Sequence, residues 1–301
     1  MIKRTPLFTP LLILALLASW LAGAAAADLD WTLVDPQFDG ATFVRDSAQC
    51  RGCHEDAMAA YERTVHGRQQ AFGHRANATI DCESCHGPRS RHIEDPEATR
   101  AFSPAQYDAA CMQCHQGGGR IHWRGSMHSA ADVSCVSCHA VMEKRSAKAL
   151  LSRPTESAVC ADCHRDVAAK MHRPSRHPIA EGLLDCSSCH NVHGAPGAGM
   201  LVAGNANETC YGCHEDKRGP FVWEHPPVRE DCLSCHEPHG SNNRYLLSTT
   251  SSTLCVSCHQ YGGHINQYRY NRVSTPYGNG CANCHVTLHG SNHPSGAKFN
   301  R

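Results

Sequence analysis

All twenty cysteines of this chain stand in C-x-x-C pairs, and every pair is followed at once by a histidine. The thiols are Cys50/Cys53, Cys82/Cys85, Cys111/Cys114, Cys135/Cys138, Cys160/Cys163, Cys186/Cys189, Cys210/Cys213, Cys232/Cys235, Cys255/Cys258 and Cys281/Cys284. The adjoining histidines are His54, His86, His115, His139, His164, His190, His214, His236, His259 and His285. Residues three apart on a helical turn share a face, so both thiols of a pair can bond the vinyl-derived carbons of one porphyrin. The next residue, an imidazole, then reaches the iron. C-x-x-C-H is the attachment signature of c-type haem, and ten repeats that consume every cysteine predict ten covalently bound haem c groups. An even cysteine count in an exported chain raises disulfides first, but the spacing argues against them. Zinc knuckles or C-x-x-C redox pairs would leave each adjoining histidine without a role.

The motif starts are separated by 32, 29, 24, 25, 26, 24, 22, 23 and 26 residues. That near-constant period marks a linear array. Two kinds of unit alternate. In one, a second histidine follows the motif closely: His92, His193-Gly194, His239-Gly240 and His289-Gly290. In the other it lies about a dozen residues on: His66, His128, His177 and His225, with His264 closer to its motif. These nine are the expected distal iron ligands. The tenth slot, three residues after His139, holds Met142. Met142 is therefore the expected tenth ligand, giving nine bis-His haems and one His/Met haem of raised potential. The alternatives for that place are His74, His122, His172 and His293. With enough ligands to close every iron, electron transfer is favoured over catalysis. No residue is read as catalytic and the chain is not read as an enzyme.

The elements that must hold these groups are modest. The pattern predicts mostly short helices and loops around a linear array of ten haems, with very little β structure. Helices are expected from Ser103-Pro104 onward, over Glu55–Val65, over Glu156–Met171 and near Asn205–Cys213. Loops are expected at Gly117–Gly119 and Gly194–Gly199. Aromatics are few, so porphyrins must supply much of the apolar interior. Trp123, Phe221 and Trp223 are read as haem packing. Lys144-Arg145 and Lys217-Arg218 are read as propionate partners or solvated surface, with partner docking second.

Lys3 and Arg4, the apolar run Leu7–Leu21 and Ala24–Ala27 before Asp28 read as a secretory signal peptide, residues 1–27. The remainder, 28–301, is expected to form a single elongated decahaem domain of five di-haem units. Lys plus Arg is 28 and Asp plus Glu is 28, so no basic stripe points to nucleic acid. Ionised propionates would take the mature protein to a net charge of about −22.

Three stretches carry a family resemblance. They are Lys217-Arg218-Gly219-Pro220 with Trp223-Glu224-His225-Pro226, then Glu237-Pro238-His239-Gly240-Ser241, and the ending from Cys281 through His289-Gly290-Ser291-Asn292-His293-Pro294-Ser295-Gly296. The chain resembles the MtrA/DmsE/PioA group of periplasmic decahaem cytochromes from the first motif to the C-terminus. Members commonly have His where this chain has Met142. The resemblance implies a haem wire threaded into an outer-membrane β-barrel porin. Implied partners are periplasmic or inner-membrane electron-carrier cytochromes and an extracellular multihaem cytochrome. The expected location is the periplasm, at the outer membrane. Outward flow would serve metal or sulfoxide reduction and inward flow Fe(II) oxidation. The alternatives are a free periplasmic shuttle and a terminal multihaem reductase.

Overall fold

A computed structural model describes residues 29–72, 80–259 and 281–299. The proposed signal peptide, His74 and His264 lie outside the described residues. Among the described residues secondary structure is short helices, 3-10 turns and isolated bridges, with no strand. None of the described helices is long and apolar enough to cross a membrane. The chain divides into two compact units.

The first unit joins the chain up to Asp46 with Asp81–His115. Its interior is aromatic. Trp31, Phe38, Phe102 and Ala110 are buried, with Leu29, Val34 and Tyr107 packed around them. Trp31 and Phe38 meet edge to face at 5.5 Å, and Trp31 stacks on Phe102 at 6.1 Å. Arg89 lies over both phenylalanine rings, at 5.4 and 5.5 Å. Burying each ring contributes roughly 1.5–3 kcal/mol. Gly87, directly after His86, has φ +74°, and a Cβ there would come within 2.7 Å of Phe38. The expected helix at Ser103 is present as Pro104–Met112, with Pro in its first turn and a Ser103–Gln106 capping box. The Gln106 amide also reaches the buried Asp35 carboxylate at 2.8 Å.

The second unit, Ser47–Ile80 with Gln116–Arg301, has few buried apolar side chains, among them Met58, Tyr61, Trp123, Leu150, Met171 and Phe299. Small polar residues such as Ser126, Ser134, Ser241 and Ser291 are buried beside them. The expected Glu156–Met171 helix is two pieces, Glu156–Ala161 and Arg165–Lys170, broken at His164 (φ −86°, ψ 59°). The Glu55–Val65 expectation likewise resolves into Glu55–Tyr61 and Val65–Phe72. A histidine that must face an iron cannot stay in the helix that carries its cysteines, so His54, His164 and His214 each cap a new helix. The Asn205–Cys213 candidate is the helix Ala206–Tyr211, capped by the Asn205 side chain. Short 3-10 turns punctuate both expected glycine loops.

Three segments of the second unit repeat one closed turn. His139 bridges Leu151, His190 bridges Leu201 and His236 bridges Leu247. The N–H of the residue after each histidine donates to Leu150, Met200 and Leu246, at 2.7 Å each. Each turn closes with left-handed residues: Ala149 and Leu150, Gly199 and Met200, Tyr245 and Leu246. A non-glycine residue there costs roughly 1–2 kcal/mol, so the turn persists only because its hydrogen bonds over-determine it.

Candidate haem sites

All ten C-x-x-C-H motifs adopt one local geometry. In each, the histidine N–H donates to the carbonyl of the first cysteine, at 2.9–3.0 Å. This single turn puts both sulfurs on one side and sends the imidazole onward. Cysteines of successive motifs come close, Cys85 to Cys111 and Cys114, and Cys210 to Cys232.

The two cysteines of a motif differ in exposure. The first is half-buried in every motif. The second is exposed at Cys53, Cys85, Cys114, Cys163, Cys189, Cys213, Cys258 and Cys284, and half-buried only at Cys138 and Cys235.

The imidazoles then meet in pairs. His128 faces His164, His139 faces His193, His190 faces His239, His225 faces His259 and His236 faces His289, each with ring centres 6.1 Å apart. His177 and His214 are 6.4 Å apart. A metal–imidazole bond is about 2 Å long, so an iron between two facing nitrogens sets ring centres roughly 6 Å apart. The pairs fit an axial haem site. Every pair joins a motif histidine to one of the repeat histidines expected as distal ligands.

The pairing follows a crossed register. His128, His177 and His225 reach forward, each to the motif two places after the one it follows. His193, His239 and His289 reach back by the same step. Docked turns enforce this. Ser175 bridges Ser241, and Trp223 bridges Ser291. His128 Nδ1 lies 2.9 Å from the Val192 carbonyl and His177 Nδ1 3.0 Å from the Pro238 carbonyl, each the residue before a back-reaching histidine. The Leu288 carbonyl faces His225 in the same way, although His225 Nδ1 has no hydrogen bond of ordinary geometry. Gly240, at φ +137°, is required because a Cβ there would run into the Lys170 carbonyl. Gly194 makes the same close approach to His122, at 2.5 Å.

Nδ1 is engaged on the motif side too. His139, His190, His236 and His285 bond the carbonyls of Ala149, Gly199, Tyr245 and Lys298 at 2.7, 2.7, 2.8 and 2.5 Å. A carbonyl on Nδ1 fixes the tautomer and leaves Nε2 for a metal. Burial pushes His66, His193, His225, His239 and His289 below the usual histidine range, so they are neutral and able to ligate near pH 7. Sequence reasoning missed the carbonyl partners. A backbone acceptor has no residue signature.

Other expected residues are placed as follows. His92 Nδ1 lies 3.2 Å from Thr99 Oγ1. His66 is half-buried. Met142 occupies the turn Ala140–Glu143, closed at 3.3 Å, as His193 and His239 occupy Asn191–Gly194 and Glu237–Gly240, closed at 2.9 and 3.2 Å. His122, His172 and His293 are exposed. Trp123 is buried with its ring 6.3 Å from His193, edge to face. Arg145 pairs with Glu143, Lys217 with Asp216 and Arg218 with Glu208.

Ten attachment turns and facing imidazoles define a multihaem c-type cytochrome, an electron-transfer protein. The doubled CXXCH motif family matches residues 128–169, 177–219 and 225–263. The chain is 37% identical to the multiheme cytochrome MtrA of Shewanella baltica (strain OS185), over 94% of this chain and 90% of that protein. It is 27% identical to the C-type polyheme cytochrome OmcB of Geobacter sulfurreducens, over 82% of this chain and 32% of that one. It is 23% identical to the high-molecular-weight cytochrome c of Nitratidesulfovibrio vulgaris, over 64% of this chain and 36% of that one. The chain belongs to the MtrA family of multihaem cytochromes and carries ten covalently bound haem c groups.

Proposed function

We propose that this cytochrome is an electron conduit, a haem wire held inside an outer-membrane β-barrel porin and not itself catalytic. The ten cysteine pairs form the thioethers, and the histidine after each pair is the proximal ligand. His66, His92, His128, His177, His193, His225, His239, His264 and His289 are distal ligands, and Met142 is the tenth. Bound haem supplies a one-electron couple at each site. The protein's part is to orient the imidazoles, hold their Nδ1 protons on carbonyls and close the irons against substrates. The observation that carries this reading is the crossed register of imidazole pairs along consecutive motifs. Such pairs would hold each iron from both sides, as a conductor needs and a terminal reductase does not.

Residues 1–27 direct export, and residues 28–301 work as one decahaem domain in the periplasm. The surface is too polar to face lipid, so passage across a membrane core about 30 Å thick requires a shielding barrel. Carrier cytochromes on the periplasmic side and an extracellular multihaem cytochrome complete the path. The test is a pull-down of the tagged protein from detergent-solubilised outer membranes. A co-purifying barrel in stoichiometric amount is expected. Recovery of the cytochrome alone from the periplasmic fraction, at every ionic strength, would replace the conduit with a soluble shuttle.

A further inference from the structure

The back-reaching histidines share a backbone position but not their surroundings. The residue just after the preceding motif histidine is Asn191 before His193, Glu237 before His239 and Val286 before His289. Asn191 is neutral and acts as a clamp. Its Oδ1 accepts the His193 N–H at 3.3 Å and its amide donates to the Gly119 carbonyl at 3.0 Å. Val286 is apolar. Glu237 alone of the three brings a charge.

Its position is well held. One carboxylate oxygen lies 3.4 Å from His239 Nδ1, and the other takes the Lys170 ammonium at 2.9 Å. The Glu237 side chain is 28% exposed and Lys170 31%, so water screens the group only in part. Lys170 comes from the segment whose carbonyl Gly240 approaches, and Arg173 donates to the Gly240 carbonyl at 3.1 Å. The docking that seats His239 against His190 therefore also seats the lysine on the carboxylate.

We propose that Glu237, held by Lys170, lowers the reduction potential of the haem attached at Cys186 and Cys189. This rests on the axial-ligand reading, with His190 and His239 as the ligand pair. On reduction the iron gains one electron from its neighbour in the array, and the charge of the site falls by one. A fixed carboxylate beside the axial imidazole stabilises the more positive, oxidised site over the reduced one. It also makes the imidazole a more basic ligand. Lys170 opposes both effects and limits their size. Glu237 is thus a positioning and electrostatic residue, and it places an energetic step at this haem through a carboxylate on the ligand's own turn, where the turns of His193 and His289 carry Asn191 and Val286.

The experiment is a spectropotentiometric titration of the full haem-loaded protein, with low-spin signals followed by electron paramagnetic resonance. Glu237→Gln is expected to move one-tenth of the haem absorbance change to higher potential, and Lys170→Met to move the same tenth lower. All low-spin signals should remain in both. Titrations indistinguishable from the parent, or shifts of the same sign in both variants, would overturn the proposal. His239→Ala separates the two levels of inference. If all ten haems stay low-spin in that variant, the ligand reading fails and the proposal with it. If one turns high-spin while Glu237→Gln titrates like the parent, only the tuning role fails.

Discussion

The aromatic cluster of the first unit and the docked turns of the second solve burial in different ways. Around Trp31, Phe38 and Phe102 the chain builds an interior from its own rings. Among the described residues between His122 and Ser291 it buries little apolar surface and makes its close contacts through backbone: serine bridges, a glycine against a carbonyl, carbonyls on imidazole nitrogens. A chain that relies on covalent porphyrin for its interior is free to use its side chains for placing ligands. The first unit keeps the usual arrangement, in which side-chain burial comes first. The two units should therefore respond differently to the same kind of damage.

Gly240→Val tests the docked turns most severely. The added side chain must displace the Lys170 carbonyl, so two pairs, His177/His214 and His190/His239, should lose their register together. The expected result is two high-spin haems that bind carbon monoxide, against none in the parent. His193→Ala should open one haem only, with the others unchanged by electron paramagnetic resonance. Loss of more than one would mean that the pairs are not independent.

Damage to the first unit should be thermodynamic rather than spectroscopic. Phe38→Ala removes a buried ring, which typically costs about 3–5 kcal/mol. Denaturant unfolding should report that loss while the low-spin signals outside the unit persist. Asp35 gives a smaller effect of the same kind. The Gln37 N–H at 2.8 Å, assisted by the Gln106 amide, holds its carboxyl below the usual range. A lowered folded pKa contributes stability above the ordinary value of 3.8, and that contribution fades as pH falls through the folded value. Asp35→Ala should cost roughly 0.5–2 kcal/mol at neutral pH, and the difference from the parent should shrink in acid. The smallest expected change is a gain. Tyr245 sits at φ +60° and is 75% exposed, so Tyr245→Gly should relieve up to about 1 kcal/mol. An unchanged melting temperature there would mean that the turn carries no strain.

Much of the site was legible because it is local. A C-x-x-C-H motif needs one turn of backbone, and the same histidine-to-cysteine hydrogen bond recurs in all ten. Helix starts were legible where a cap writes them, as at Ser103-Pro104 and Asn205. The break at His164 was not, since propensity runs smoothly through Glu156–Met171 and only the demand that an imidazole leave the helix interrupts it.

By itself, then, the sequence determined the chemistry: ten attachment turns, one adjoining imidazole each, and a set of repeat positions from which partners could be drawn. Each of these depends on residues within a few places of one another, and short spacing has few conformations to choose from. The tertiary structure decided which partner meets which motif. His193 does not serve its own motif or the next; it faces His139, more than fifty residues earlier. That choice is made by turns docking through backbone groups, with Gly240 against Lys170 and Ser241 against Ser175. Backbone groups are common to all residues, so their long-range pairing leaves little for a sequence to announce.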